Sequence, residues 1–427
     1  MLKKIRISLE KTNNIERSSY IWNSINAIIA ACQCPVILMV LTRTNGVYDA
    51  GVFSIAFAVA SLMLYIGLYG LRKFQASDIY EKFEFSEYHG TRVVTCAVMT
   101  IICIGYCVYS AVFNDYDTEK LIVVLMVCAI RVIQAYTDVI HGRMQQKGRL
   151  DVAAKVSAIR YLAEIIAYIV MLVITHNLLV SSIVCVIVSV IIMLLTTMNV
   201  ARDYCDMKIS MNMQKMKNLL IEGFPIFISL FLNMYISNAP KYAIDAYLTE
   251  EIQAIYNLIF MPAFMVGLLA NFIFNPILTS YAKVWADNEV KKFKKLIGKQ
   301  CMVIVALTVA GLAVAATIGI PVLSFIFGVD LSSYKVELCV VMFGGGMLAY
   351  STFFSTVITI IRMQKTLFIS YGIIALAAKL LSAPLVTGYG IMGATVMYAI
   401  LMTALSAVLF IIMAYKIRKE ELTLDRL

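Results

Sequence analysis

Apolar residues gather in twelve runs along this chain, at roughly 18–41, 51–71, 93–113, 120–141, 155–175, 178–200, 218–241, 252–276, 300–327, 336–361, 366–387 and 391–415. About 20 mainly apolar residues suffice for a helix to cross the hydrocarbon of a bilayer. Each run therefore predicts one spanning helix, and the fold class is all-α, a polytopic membrane protein. The polar positions carry a second pattern. Of the 36 Lys and Arg residues, 29 fall at the termini or in even-numbered loops. Four (Arg43, Lys120, Lys241, Lys335) lie in or beside odd-numbered loops, and three (Arg131, Arg160, Lys379) lie inside runs. Cytoplasmic loops hold the excess of Lys and Arg, so both termini are expected in the cytoplasm and the membrane is expected to be a bacterial inner membrane.

Composition agrees with the pattern. A hydrophobic fraction of 61% with 15% charged residues is too apolar for a soluble domain of this size. Met1–Arg17 is polar and leads straight into a full-length run, so no cleavable signal peptide is expected. The net charge of +10 is read as inside-positive bias with some attraction to anionic lipid, not as a nucleic-acid signature. Ten cysteines are scattered mostly within runs, and none has the spacing of a zinc site or disulfide framework. Neither a metal nor a cofactor is expected.

Odd-numbered loops are short. Asn114–Glu119 carries Asp115, Asp117 and Glu119, while Thr175–Asn177 and Thr387–Gly390 are tight turns. The larger segments, Arg72–Arg92, Arg143–Asp151, Ala201–Lys217 and Lys283–Lys299, all fall on the cationic side. The run from Lys291 to Lys295 in the last of these predicts a partly amphipathic surface helix on anionic headgroups.

An internal repeat is also visible. A shift of 219 residues superposes Arg143-Met144-Gln145 on Arg362-Met363-Gln364, and without a gap sets Arg160 on Lys379. A weaker match at a shift of 203 sets Ala50–Ile55 against Gln253–Leu258. Six runs separate the copies, which predicts two parallel, pseudo-symmetric six-helix bundles: a lobe at 1–200, a cytoplasmic linker at 201–217 and a lobe at 218–427. Transporters built this way hold substrate at the repeat interface near the midplane.

Several short motifs carry a family likeness: Leu41-Thr42-Arg43-Thr44-Asn45-Gly46 followed by Tyr48-Asp49-Ala50-Gly51, Gln145-Gln146-Lys147-Gly148-Arg149, and Gly223-Phe224-Pro225 opening the seventh run with Asp245 closing it. With the two six-helix halves, these resemble the polysaccharide (O-antigen, Wzx-type) flippases of the multidrug/oligosaccharidyl-lipid/polysaccharide exporter superfamily. The resemblance implies transport of a polyprenyl-diphosphate-linked oligosaccharide, with membrane lipid and a polysaccharide polymerase and chain-length machinery as partners, and no enzymatic activity.

An ionisable group at mid-bilayer costs roughly 2.5–3.5 kcal/mol on insertion scales and usually faces a wet cavity or a partner. Arg131, Arg160 and Lys379 therefore need explaining. Glu164 follows Arg160 at i+4, where a helical ion pair forms readily, whereas Lys379 has no acid within four residues. Cations at equivalent places in two halves would face one central cavity suited to a multiply charged anion. Arg binds phosphate as a fork and Lys as a mobile point charge. Arg131, Arg160 and Lys379 are thus expected to cradle a diphosphate, with Arg43 or Lys241 receiving it outside and Asn233, Asn238 and Tyr242 near the sugar. Asp138, Glu164, Glu222 and Asp245 are candidates for ion coupling or simple pairing. Pro225, Pro240, Pro262, Pro276, Pro321 and Pro384 kink or end runs, and Gly344-Gly345-Gly346 reads as close helix packing.

Two alternatives stay open. A cation-coupled drug exporter of the same fold would show a cavity dominated by acids. A membrane glycosyl transferase or polymerase would need a large outside loop or a catalytic acidic motif, and neither is present; His89, His141 and His176 have no matching partner in sequence. The alternation of charge makes a direct prediction. A phosphatase reporter, active only outside the cytoplasm, is expected to be active when fused after Asn177 and silent after Asn212. The reverse result would invert the topology.

Overall fold

A backbone in hydrocarbon can bond only with itself, so each apolar run closes its hydrogen bonds as a helix. The computed structural model describes residues 2–77, 82–114 and 116–424. The side chains at 264, 265, 267–280 and a few isolated positions are outside that description. Asp115 and the side chain of Pro276, both singled out above, lie outside the described residues.

The helices are α1 (Leu2–Glu10), α2 (Ile15–Thr44), α3 (Val47–Leu68), α4 (Leu71–Ser77), α5 (Phe85–Phe113), α6 (Thr118–Gln146), α7 (Leu150–Thr175), α8 (Leu178–Ala201), α9 (Met213–Tyr247), α10 (Glu250–Ala286), α11 (Val290–Phe327), α12 (Lys335–Ile360) and α13 (Gln364–Leu424). Ten stretches among the described residues are long and apolar enough to span a membrane. The last of these, Lys365–Leu422, contains two of the predicted runs and bends at Gly390 (φ 57°, ψ −133°), while α10 coincides with the eighth run. The architecture is all-α with about twelve spanning helices. Large apolar side chains point outward along them, among them Ile101, Phe325, Leu380 and Ile411, as lipid-facing surfaces require.

Internal packing divides the chain into Met1–Phe231 and Leu232–Leu427. The division falls inside α9, because the first half of that helix is committed to the first unit. Phe227 stacks on Tyr69 at 4.4 Å, and Leu219 joins the apolar core built by Leu71, Phe83, Tyr88, Ile140, Met144 and Val156. In the first unit α3 is the central, mostly buried helix, and its run of Ala, Gly and Ser lets α5 and α6 approach closely. In the second unit α12 contains the triple glycine. A Cβ at Gly344, Gly345 or Gly346 would meet Tyr398, Ala263 or Thr308 at 2.5, 2.9 and 2.4 Å, so three neighbouring helices use this segment as their contact.

The lysine run does not form a separate surface helix. Lys291–Lys295 is the opening of α11, which continues unbroken into the ninth span. Phe293 is wholly buried against Trp285 and Tyr281, at 5.0 and 6.0 Å between ring centroids. Burying that ring fixes the start of α11, while Lys292 and Lys294 pair with Glu289 (2.6 Å) and Glu421 (2.5 Å). Pro321 follows a π-turn at Ala315–Gly319 in the same helix, as its missing N–H requires a local change of bonding. The seventh proline, Pro35, lies inside α2.

The repeat is present in the backbone, with a different register at its second match. α3 and α10 begin at Val47 and Glu250, 203 residues apart, in keeping with the weaker sequence match. The turns after α6 and α12 share one closure. Arg149 N–H donates to Met144 O (2.8 Å) across left-handed Gly148, and Met363 N–H donates to Ile358 O (3.0 Å) across left-handed Arg362. This sets Gln146 against Ile360, a shift of 214 residues. The bends at His176 and Gly390 are also 214 apart. The stronger sequence match, at 219, is therefore five residues out of register, and five residues rotate a helical position by about 140°.

Gly90 of α5 lies under the 201–217 segment, where a Cβ would sit 2.0 Å from the Ser210 carbonyl oxygen; Gly105 of the same helix has open space around it. Gly90→Ala is expected to lower stability by about 1–3 kcal/mol through overpacking. Gly105→Ala should be neutral or stabilising by up to about 1 kcal/mol. Thermal unfolding of the purified protein compares the two.

Candidate functional site

Among the described residues of the first unit, charge networks built on Glu164 and on Asp138, and the cation of Arg131, are the candidate site. The deeper network grows from the i,i+4 pair on α7. Arg160 is 1% exposed and Glu164 wholly buried, and Arg160 Nη1 lies 2.9 Å from Glu164 Oε1. The carboxylate also accepts from Ser189 Oγ of α8 at 2.6 Å and from Gln33 Nε2 of α2 at 2.8 Å. A buried carboxylate needs such a set of donors to offset its desolvation. Here they come from two neighbouring helices, so the charge ties α2, α7 and α8 together. Three buried atoms around the sites, Arg160 Nε, Gln33 Oε1 and Arg131 Nε, have no hydrogen-bond partner.

Arg131 of α6 is 7% exposed. Its Nη1 donates to the neutral Gln134 at 2.7 Å, and its guanidinium lies 4.5 Å from the centre of the Phe57 ring on α3. No carboxylate among the described residues is within ion-pair distance of it. It lines a crevice of only about 10 Å³ with Gln33, Phe53, Phe57, Val127 and Tyr168, room for about one water. Gln33 thus faces both this crevice and Glu164.

The second network centres on Asp138, one of the ion-coupling candidates. Asp138 receives Arg92 Nη2 at 2.9 Å and Arg72 Nη1 at 3.2 Å. Arg92 is wholly buried and also donates to the Gly67 carbonyl, while Arg72 Nε donates to Gln145 at 3.2 Å. This joins the ends of α3, α4, α5 and α6. Glu222, another candidate, pairs with Lys82 at 2.9 Å on a partly exposed surface.

In the second unit Lys241 is buried with its ammonium 4.7 Å from the Phe260 ring centre. Asp245 is half-buried one turn further along α9. Asn238 is buried but donates to the Met234 carbonyl of its own helix at 3.1 Å; Tyr242 stacks on Tyr235 at 6.0 Å, and Asn233 is half-buried. Lys379 is exposed on α13, with no ion pair or hydrogen bond among the described residues. The 214-residue register sets Arg160 against buried Ile374 and Glu164 against buried Ala378, not Arg160 against Lys379. The expected equivalence of those two cations came from the out-of-register match. Arg43 ends α2, exposed, next to the Asn45 side chain that donates to Asp49 at 2.8 Å.

Arg92 and Gln33 are the residues that sequence reasoning missed. Arg92 stands at the edge of a run, where hydropathy assigns it to the loop. Gln33 is uncharged, although an amide flanked by Cys32 and Cys34 in an apolar run was a signal.

Removing Arg160 would strand the Glu164 carboxylate in an apolar interior. Arg160→Ala is expected to cost about 3–5 kcal/mol and to lower the yield of folded protein. The paired change of Arg160→Met with Glu164→Leu should recover most of that loss. Unfolding temperatures of the three proteins test this.

The structure is similar over nearly its full length to known transporters. An inward-facing multidrug resistance MATE transporter of the MOP superfamily matches with a TM-score of 0.70 and 13% identity, over 95% of this chain and 99% of that one. The lipid II flippase MurJ, in an inward closed conformation, matches with a TM-score of 0.67 and 14% identity, over 94% and 90%. A MOP superfamily transporter from Pyrococcus furiosus, described as having a binding pocket of reversed polarity, gives 0.56 and 14%, over 95% and 96%. No curated protein matches the sequence. The family model described as polysaccharide biosynthesis protein matches residues 18–282. The multi-pass helical fold is one shared with those transporters, and a family match over more than half of the sequence places this chain in the polysaccharide biosynthesis protein family.

Proposed function

We propose that the chain carries a polyprenyl-diphosphate-linked oligosaccharide from the cytoplasmic to the outer leaflet of a bacterial inner membrane, by alternating access, for synthesis of an O-antigen-type surface polysaccharide. Both termini lie in the cytoplasm. A single observation carries the proposal: Arg131 is buried within a spanning helix, and no carboxylate among the described residues lies within ion-pair distance to neutralise it. Such a cation is costly in hydrocarbon, and an anionic ligand supplies the missing charge. A diphosphate suits it because guanidinium and phosphate oxygens pair as forks. The family's role in polysaccharide biosynthesis and the likeness to a lipid flippase favour a sugar on a lipid carrier.

In this scheme Arg131 binds the diphosphate in the first unit, and Lys379, unpaired among the described residues, is a further candidate for it in the second. Arg43 and Lys241 receive the diphosphate on the outer side, and Asn233, Asn238 and Tyr242 meet the sugar. Arg160 is a positioning residue that holds Glu164 and, through it, Gln33. A drug exporter driven by free carboxylates is less favoured, because Asp138, Glu164 and Glu222 each face a cation at 3.2 Å or less. Polymerase and chain-length proteins would take the product at the outer leaflet.

The test is the pool of lipid-linked oligosaccharide in cells. Arg131→Ala, inserted normally, is expected to lower transport roughly ten- to hundredfold, the loss of one charge-assisted contact. Finished units should then accumulate on the cytoplasmic leaflet, and Lys379→Ala should act in the same direction. An unchanged pool in both variants, with retention of cationic dyes in cells lacking the gene, would instead identify a drug exporter.

A further inference from the structure

Away from the buried networks, the first unit has a cavity that transport does not use. Residues 11–14 join α1 to α2; together with the first turns of α2 and Lys155 of α7 they line a hollow of about 500 Å³ that is open to the surface. Its floor is rigid. Lys155, 8% exposed, donates to Thr12 Oγ1 at 2.9 Å and Leu9 O at 3.0 Å, and lies 3.5 Å from Asp151 Oδ2. Asp151 is held in turn by Arg149 at 3.0 Å and by Thr12 at 2.9 Å. Arg149 also donates to the Glu10 carbonyl at 2.7 Å, so two cations satisfy the open carbonyls at the end of α1. The Asp151 carboxylate raises the Arg149 guanidinium above its usual range.

The rim has a different balance. Lys11 and Arg17 line the same cavity and are exposed, and neither side chain forms an ion pair or hydrogen bond among the described residues. No acid lines the cavity; Glu16 is exposed on the same turn of α2 but is not part of the wall. By contrast, Lys292 and Lys294 at the start of α11 have carboxylate partners. Asn13 and Ser18 add neutral polar groups, and Asn14 pins the bend by accepting from Arg17 N–H at 2.9 Å. The remaining wall is Ile21 and Trp22, where the first apolar run begins, and Ile21 is 42% exposed. Tryptophan concentrates at the membrane–water boundary, so this wall sets the cavity at headgroup depth with its apolar side open to lipid.

We propose that this cavity binds the phosphodiester headgroup of an anionic phospholipid. The phosphate is held by Lys11 and Arg17, the headgroup hydroxyls meet Asn13 and Ser18, and the first acyl carbons run along Ile21 and Trp22. The site is independent of the transported substrate. Its floor, Lys155 of α7, already holds the end of α1 through the Leu9 carbonyl, so the lipid would sit beside that joint.

The full-length protein in phosphatidylcholine nanodiscs, doped with phosphatidylglycerol, provides the test, with native mass spectrometry counting retained lipids. Wild type is expected to keep one phosphatidylglycerol that the double variant Lys11→Gln, Arg17→Gln retains roughly thirty-fold less well, at about one decade and a half for two cations. Lys3→Gln with Lys4→Gln, on the exposed face of α1, should retain it as wild type does. Inorganic phosphate at millimolar concentration should neither displace the lipid nor reproduce its stabilisation in thermal unfolding. Equal retention by wild type and the Lys11/Arg17 variant, equal loss in the Lys3/Lys4 variant, or the same stabilisation by phosphate alone would each overturn the proposal.

Discussion

Charge in a medium without water is the constraint on which this structure depends. A carboxylate or guanidinium in hydrocarbon must be met by opposite charge, by dipoles or by a ligand. Glu164 is met by three donors from three helices and Asp138 by two arginines from separate helices. Hydrophobic burial cannot drive association between helices already surrounded by lipid. These networks, with the close contacts of small residues along α3 and α12, therefore select which helices are neighbours. Arg131 departs from the rule, and the departure gives it meaning: its nearest partners are an amide and an aromatic face, which soften a cation without cancelling it.

The division of labour among the acids follows. Carboxylates that join helices are poorly placed to bind and release a transported ion, because each binding would take the carboxylate from its buried arginine. Among the described buried charges of the first unit, that of Arg131 has no ionic partner, and it is positive. That polarity suits an anionic cargo better than a cationic drug.

Much of the fold could be read in the sequence, since the need to close backbone hydrogen bonds acts locally, run by run. The twelve apolar runs and the 203-residue spacing of α3 and α10 are visible for that reason. The 214-residue spacing was hidden. It depends on a left-handed residue after each helix, glycine at 148 and arginine at 362, and that shared geometry leaves no shared letter. The Arg-Met-Gln match five residues away was more conspicuous and set Arg160 on Lys379 where the backbone register sets it on Ile374. Arg131 and Arg160 stood out as charges within apolar runs. Arg92 did not, because its burial depends on the Gly67 carbonyl and Asp138, which only tertiary packing brings to it.

The Glu164 network also has a mechanical consequence. Sliding α2 past α7 by a single turn, about 5.4 Å, would pull Gln33 away from the carboxylate, and a shift of α8 would do the same to Ser189. The ion pair thus acts as a shear pin that makes these three helices one stiff lever. Compliance is left to places where the backbone already departs from regular bonding. In α8 that place is the π-turn at Leu194–Met198, just beyond the pin. Strain applied at one end of the lever is therefore transmitted along its length rather than absorbed near the charge.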